Sequence, residues 1–501
     1  METGMADVKT MISGIVMERV LSVRTMIGKF LGIATTMSAG FTVGRVGPFI
    51  HITACMGHQL LKLPIFQRVR QNDFIRTNLL CSAISVATAA TFGTPVGAVL
   101  FSIELSTTYF LVSNIWKVFV ASLFGSGFFY LARHMGVFPP SLAGISFALY
   151  PTNFSPFPYR PWEYGAFAFL GLSLGLLGGI FLKLVVQIIK IRNRFKLLRE
   201  ARYTAVFIVC IVIASIDWWI SLANMSTGAL FHRLFDNVPF DTTKGSVIQQ
   251  LSILFLFKYI ATLFSLSLPI PNGVTVQSWV MGACIARIMG ELLKLYVDPS
   301  VNPAGYAVIG CCAMSVSITK CLSMIVIVLE STGQSQYMIP CFLASIIARG
   351  VASLFTTSIY EHMIRLRNMP CLILTNPYIG QNILAVNIMK SKVDYITTED
   401  SMTEIDDLLL RTNHLNYPVL DNRVNQMVIG EASRISIERM LHQYRELARH
   451  STSSSVHLAR NSSKALLLPE DEGDDDDESD VRGYESCSRL ESSKVSNTVN
   501  T

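Results

Sequence analysis

From about residue 10 to residue 370 the chain runs as apolar segments cut by short breaks rich in glycine and proline, and no other feature limits its fold as much. The segments lie near 26–43, 47–63, 77–92, 94–112, 113–133, 165–190, 203–222, 248–270, 274–296, 303–317, 319–332 and 336–356. Several hold only 14 to 18 residues, whereas a helix needs about 20 to cross the hydrocarbon of a bilayer. Others, such as 165–190, are long enough to cross at a tilt. The mixture predicts helices that end inside the membrane, which lipid tolerates only where the broken backbone is buried in protein or lines a cavity. Charged residues are 15% of the chain against about 25% in soluble domains. An all-α polytopic membrane protein follows. No G-x-S-x-G, Walker A or H-E-x-x-H pattern occurs, so no enzyme is expected and no catalytic residue is assigned.

Charge and cysteine usage agree with that class. The formal charge is +6, but nine of the 35 acids sit in Glu470–Asp480, and without them it becomes +15. Such an excess suits loops facing an anionic cytoplasmic leaflet. No basic stripe with interleaved aromatics marks a nucleic-acid surface. The linker KIRNRFKLLREAR (190–202) should be cytoplasmic, so the loop 223–247, one span later, should be external. That loop holds Asn224-Met225-Ser226, a glycan acceptor; Asn153-Phe154-Ser155 is a poorer one because Pro156 follows. The cysteines, among them Cys311, Cys312 and Cys341, lie mostly in apolar runs without metal spacing, so they read as small core residues and no metal site is expected. The N-terminus METGMADVKT has no secretory signal.

The breaks carry the chemistry. In GRVGPFIHITA, Gly44, Gly47 and Pro48 precede an apolar helix. In PIPNGVTVQSW, Gly273, Val274 and Thr275 start another. A helix start offers free N–H groups and the positive end of the dipole, and glycine lets an anion approach that backbone. Two starts aimed at one point would hold an anion without a full positive charge, firmly enough to dehydrate it and weakly enough to release it. Gly-Pro breaks also serve simply to separate helices, and the pattern alone does not decide. An internal echo points to two halves. VLFSIELST (99–107) resembles IVIVLESTG (325–333), with Glu104 and Glu330 each ending an apolar helix. Paired interrupted helices of this kind, about 230 residues apart, fit a duplicated, inverted architecture.

The stretches TVGRVGPFIHITA, GTPVGAVLFSIELSTTYF, VLESTGQ and SIYEHMI resemble, in order and spacing, the CLC chloride channels and chloride/proton exchangers. The resemblance runs from about residue 2 to 441. It implies a homodimer with one pore per subunit, two inverted halves per subunit, four loop-to-helix segments around a central chloride, and cytosolic CBS domains. It places Thr3 where the family's GSGIP segment has its chloride-contacting serine. It places Gly44-Arg45-Val46-Gly47-Pro48 on the GKEGP segment, with Val46 at the gating glutamate. Val274 and Thr275 fall on the third segment, where backbone amides serve whatever the residue type. Tyr360 matches the tyrosine whose hydroxyl reaches chloride; a tyrosine in an apolar run otherwise reads as a packed aromatic.

Proton-coupled exchange needs ionisable groups along a path. The resemblance puts Val46 and Leu105 at the two proton-carrying positions, and neither carries a proton. A passive chloride channel with weak glutamate-type gating is therefore expected. The alternatives are a chloride/proton exchanger and a non-conducting shortened isoform that regulates full-length subunits. The family also has helices ahead of its first segment, so this chain reads as N-terminally shortened.

The expected organisation is a membrane domain over 1–370, a linker over 371–388, a single CBS-like domain over 389–445 and a disordered Ser-rich and acidic tail over 446–501. The CBS-like stretch reads strand, helix, strand, strand, helix. Tyr395, Ile396, Thr397 and Pro418 lie where nucleotide contacts fall in that family, but these are ordinary strand and turn types. No cofactor is expected beyond chloride as permeant ligand. The expected partners are the bilayer, a second copy or another CLC subunit, and an accessory subunit; the expected location is the plasma membrane, with the tail cytoplasmic.

Overall fold

The computed structural model describes residues 4–450 other than 14, 16, 18, 67–72, 106–113, 136–147, 153, 155–158, 196–201, 237–245, 370–383 and 391. Two units divide the chain, Met1–Leu374 and Thr375–Thr501. Most of the expected linker and residues 451–501 of the expected tail lie outside the described residues; the tail's first residues, 446–450, are helical rather than disordered.

The first unit is helical. Its helices are α1 (Met5–Ile12), α2 (Val23–Ser38), α3 (Val46–Leu60), α4 (Asp73–Phe92), α5 (Pro95–Leu105), α6 (Ile115–His134), α7 (Glu163–Arg194), α8 (Arg202–Trp219) and α9 (Thr227–Phe235), then α10 (Val247–Ser267), α11 (Thr275–Tyr296), α12 (Pro303–Thr319), α13 (Ser323–Thr332), α14 (Met338–Phe355) and α15 (Ile359–Leu366). Each apolar segment of the sequence carries one of them. Five stretches among the described residues are long and apolar enough to cross a membrane, including Glu163–Arg194 and Val247–Ser267. Others, such as α5 and α13, are too short to span. The centre is α12, apolar on every side and buried at every residue, as a helix surrounded by other helices must be. It packs on α7, α11 and α14.

One expectation is corrected. The stretch 223–247, read as a loop, contains α9, because Ser226 caps its first turn and Leu230, Phe231, Leu234 and Phe235 make a buried face. Arg287 of α11 pins its far end, donating to the carbonyls of Leu234 at 2.7 Å and Asp236 at 2.9 Å.

The two halves are locked by their echoed glutamates. Glu104, at the end of α5, accepts from the amides of Leu322 at 2.8 Å and Ser323 at 2.9 Å and from the Ser323 hydroxyl at 2.7 Å. Glu330, near the end of α13, accepts from the amides of Val96 at 3.3 Å and Gly97 at 2.9 Å. The two short helices thus run antiparallel, and each caps the other's start with a carboxylate placed on the positive end of the dipole.

The second unit holds α16 (Ala385–Ile388), β1 (Ile396–Thr397), α17 (Met402–Arg411), β2 (Asn416–Leu420), β3 (Val428–Ser433) and α18 (Arg434–His450). The sheet order is β1-β2-β3, parallel between β1 and β2 and antiparallel between β2 and β3. Ile396, Ile405, Leu409, Tyr417, Ile437 and Leu441 form its core. A capping box between Ser401 and Glu404 starts α17. Asp400 closes the turn before it, accepting from the Thr397 amide at 2.8 Å, the Thr397 hydroxyl at 2.6 Å and Arg423 at 2.8 Å.

Two outcomes are expected. Replacing Glu330 by Ala leaves two helix-start amides without their acceptor and should cost about 1–3 kcal/mol, read as a lower melting temperature of the detergent-purified protein. A wild-type melting temperature would remove the carboxylate lock from the account of the fold. Burial opposes ionisation of Asp400, but its hydrogen bonds from Thr397 and Arg423 hold its carboxyl below the usual range. Its contribution is therefore present above the unfolded value of about 3.9 and is lost as the pH falls through the lowered folded value. Limited proteolysis within 390–450 should be faster in strong acid, and Asp400→Asn should bring that faster cleavage to neutral pH.

Candidate functional site

The starts of α1, α3, α11 and α15 meet around one small cavity. Met5 of α1 and Gly47 of α3 line it, with Val274 and Thr275 at the start of α11 and Ile359, Tyr360 and Met363 of α15; Leu266 and Gly273 complete the wall. Its volume is about 20 Å³, room for one body the size of a water molecule.

The local chain explains why these starts are open. Most described helices that begin elsewhere with a resolved cap carry a side chain on their first amides: Ser22 on α2, Ser226 on α9, Ser246 on α10 and Asn302 on α12. The residues before α1, α3 and α11 are Gly4, Arg45 and Val274, and none donates a side-chain cap. The first N–H groups of these three helices are left to whatever occupies the space ahead of them. Only α15 is capped, by Ser358, and it brings the Tyr360 phenol instead. That ring is 7% exposed and its hydroxyl interacts with the Thr275 side chain.

Two glycine breaks set the approach. The Gly44 amide donates to the Gly273 carbonyl at 2.8 Å. A Cβ on Gly44 would stand 2.7 Å from that oxygen, and one on Gly273 would stand 3.0 Å from the Gly44 oxygen, so backbones this close require glycine on both sides. The Gln277 amide donates to the Val43 carbonyl at 3.3 Å, and the Thr42 and Ser265 hydroxyls meet at 3.2 Å. At α1, Gly4 takes a positive φ of 75°, which glycine adopts without strain.

A second, wider cavity of about 490 Å³ adjoins the same break; Gly44, Arg45, Phe49, Tyr150, His232 and Val276 line it, with the start of α9 at its rim. Among the described residues no acid lines either cavity.

The structure thus brings Val274, Thr275 and Tyr360 together and adds Gly47. Gly44 and Arg45 line the wide cavity. Val46 stands between the two groups in sequence, is 1% exposed and lines neither cavity; Pro48 is buried in the first turn of α3. Leu105 is buried at the end of α5, away from both linings. Thr3 lies outside the described residues. Met5, Leu266, Ile359 and Met363 carry no polar group and were not legible as site residues. His232 was hidden in the expected loop, although Ser226 ahead of an apolar face is a helix-start signal.

The family model for the voltage gated chloride channel matches residues 2–353. The chain belongs to the voltage gated chloride channel family. Within it, the chain is similar to Chloride channel protein E of Dictyostelium discoideum, 28% identical over 448 residues, which cover 88% of this chain and 45% of that protein. It is similar to Chloride channel protein 1 of Homo sapiens, 28% identical over 484 residues, 88% of this chain and 48% of that one. The chain thus spans about half the length of these curated relatives. Among solved structures, a eukaryotic CLC transporter matches with a TM-score of 0.69 and 26% identity, covering 88% of this chain and 75% of that one. A slow cyanobacterial Cl-/H+ antiporter shares the fold with a TM-score of 0.62 at 16% identity, covering 73% of this chain and 81% of that one.

Tyr360→Phe removes the hydroxyl that meets the Thr275 side chain and should cost about 1 kcal/mol of stability, the worth of one hydrogen bond. Thermal unfolding of the purified chain measures it; an unchanged melting temperature would show that this contact does not hold the start of α11 to α15.

Proposed function

We propose that this chain is a subunit of a passive chloride channel, working as a dimer with one anion path per subunit. The observation that carries the reading is the convergence of three uncapped helix starts and a tyrosine hydroxyl on a cavity sized for one small body and, among the described residues, lined by no acid. Such a site attracts an anion by oriented backbone dipoles in a low-dielectric interior. The names of the family and of its relatives supply chloride as the ion. Chloride needs no cofactor to be held there.

The path runs from the wide cavity past Arg45, across Val46 and into the narrow cavity. Arg45 gives the wide cavity a positive field that gathers anions. Val46 is an apolar step, and a hydrophobic constriction controls passage by its wetting rather than by a titrating group. The antiporter of similar fold makes exchange the competing activity, and the residues at the two proton-carrying positions, Val46 and Leu105, favour the channel. The wide cavity is the external mouth in this reading, because Asn224 is exposed two residues from Ser226 at its rim and the basic linker lies one span before it. The partner is a second copy or another CLC subunit, with an accessory subunit able to join, and the location is the plasma membrane with the C-terminal unit in the cytoplasm.

Whole-cell recording with chloride replaced should show an anion current without accompanying proton flux. Val46→Glu should impose a block relieved by acid; coupled proton movement in the wild type would sink the channel reading. Glycosidase treatment should increase gel mobility in the wild type and leave Asn224→Gln unchanged. A glycan absent from Asn224 in a chain that carries one elsewhere would reverse the orientation.

A further inference from the structure

We propose that Met5 and Met363 set which anions the narrow cavity admits: their side chains are the part of the wall that yields, so the site also takes anions larger and more polarisable than chloride, bromide and thiocyanate among them. The inference rests on the narrow cavity being the anion site and adds the range of ions it accepts. Met363 follows Tyr360 by three residues on α15, which puts both on one face of that helix, and both line the cavity. Met5 is the first residue of α1 and lines it too. The helices α1 and α15 pack on each other. The two methionines are buried in one apolar core, at 2% and 7% exposure.

The cavity of about 20 Å³ has room for one water-sized body, so a larger ion enters when a wall moves. Most of the wall among the described residues is stiff. Gly47 and Gly273 have no side chain to turn, and they meet at the backbone crossing: a Cβ on Gly273 would stand 3.3 Å from the Gly47 nitrogen, and the Gly273 carbonyl is held by the Gly44 amide. Val274, Thr275 and Ile359 are β-branched, which leaves little freedom about the first side-chain bond. The Ser358 cap fixes the start of α15, and the Tyr360 hydroxyl is engaged with the Thr275 side chain. Leu266, at the end of α10, is buried and branched. The two methionines are the unbranched side chains of this wall.

An unbranched thioether turns about each of its bonds, refills irregular space and carries a polarisable sulfur. Two such side chains let the space widen around a larger ion while the helix-start amides stay in place. Those amides attract an anion by their dipoles and without a full charge. A site of that kind gives little extra hold to a compact, tightly hydrated ion, and an anion that sheds its water easily enters at lower cost. Bromide is larger and softer than chloride, and thiocyanate is a longer rod with its charge spread along it. Methionines that served solely to fill the core would leave the relative permeabilities of these ions unchanged on replacement by an apolar side chain of similar volume.

The test is electrical recording of the full chain with external chloride replaced by bromide or by thiocyanate, the shift in reversal potential giving each permeability relative to chloride. The wild type should pass both ions, thiocyanate at least as readily as chloride. Met5→Leu, Met363→Leu and the double variant nearly keep the side-chain volume and should lower the relative thiocyanate permeability severalfold, most in the double variant, whereas Leu266→Met should raise it. The ratio does not depend on how many channels reach the membrane, so weak expression of a variant does not imitate the effect. A wild type that excludes thiocyanate would overturn the inference whether or not the variants conduct, and so would a double variant with the wild-type ratio. If the leucine variants carry no current, Leu266→Met decides, and a ratio no higher than that of the wild type overturns the inference. Absence of any anion current from the wild type would instead overturn the channel reading and carry this inference with it.

Discussion

The hydrogen bond from the Gly44 amide to the Gly273 carbonyl, 2.8 Å long, joins the two breaks from which α3 and α11 depart, and the geometry of the site follows from it. A helix start in a membrane interior has amides that water cannot satisfy. Most chains answer with a serine or asparagine cap, and this one does so at α2, α9, α10 and α12. At α1, α3 and α11 the cap is missing, and each of these helices opens toward the same small space. Glycine is required at the crossing because any side chain would push the two starts apart. A carbonyl already bonded to an amide across the gap cannot turn toward the cavity, so the remaining polarity there is dominated by donors.

Keeping two starts aligned needs a frame that resists shear. The reciprocal glutamate caps supply it. Because α5 runs on from α4, which packs on α3, and α13 follows α12, which packs on α11, locking α5 to α13 ties the two halves together. Arg287 extends the same frame, since α11 holds the far end of α9 while the near end of α9 rims the wide cavity. The site is thus positioned by backbone contacts at its centre and charge-assisted caps at its periphery.

The helical class, the breaks and the two halves were legible because lipid leaves few options: apolar length, Gly-Pro interruptions and the echoed glutamates are all properties of the linear chain. Gly47, Val274, Thr275 and Tyr360 were legible by resemblance and converge in space. What could not be read was the use of the glutamates. Glu104 and Glu330 look like isolated membrane acids, and only the fold reveals that each finishes the other's helix partner. The helix α9 was missed because nine residues, four of them buried, are too few to raise an apolar signal above a polar loop.

The placement of the acids bears on whether protons travel with the anion. A proton relay needs a carboxylate that can lose and regain its proton without structural penalty. Glu104 accepts three hydrogen bonds at the start of α13 and lies 3.9 Å from Arg349; Glu330 accepts two at the start of α5. Protonating either would weaken the lock between the halves, because a neutral carboxyl is a poorer acceptor for helix-start amides. These two acids are thereby committed to the frame, each as the acceptor that finishes the start of its partner helix.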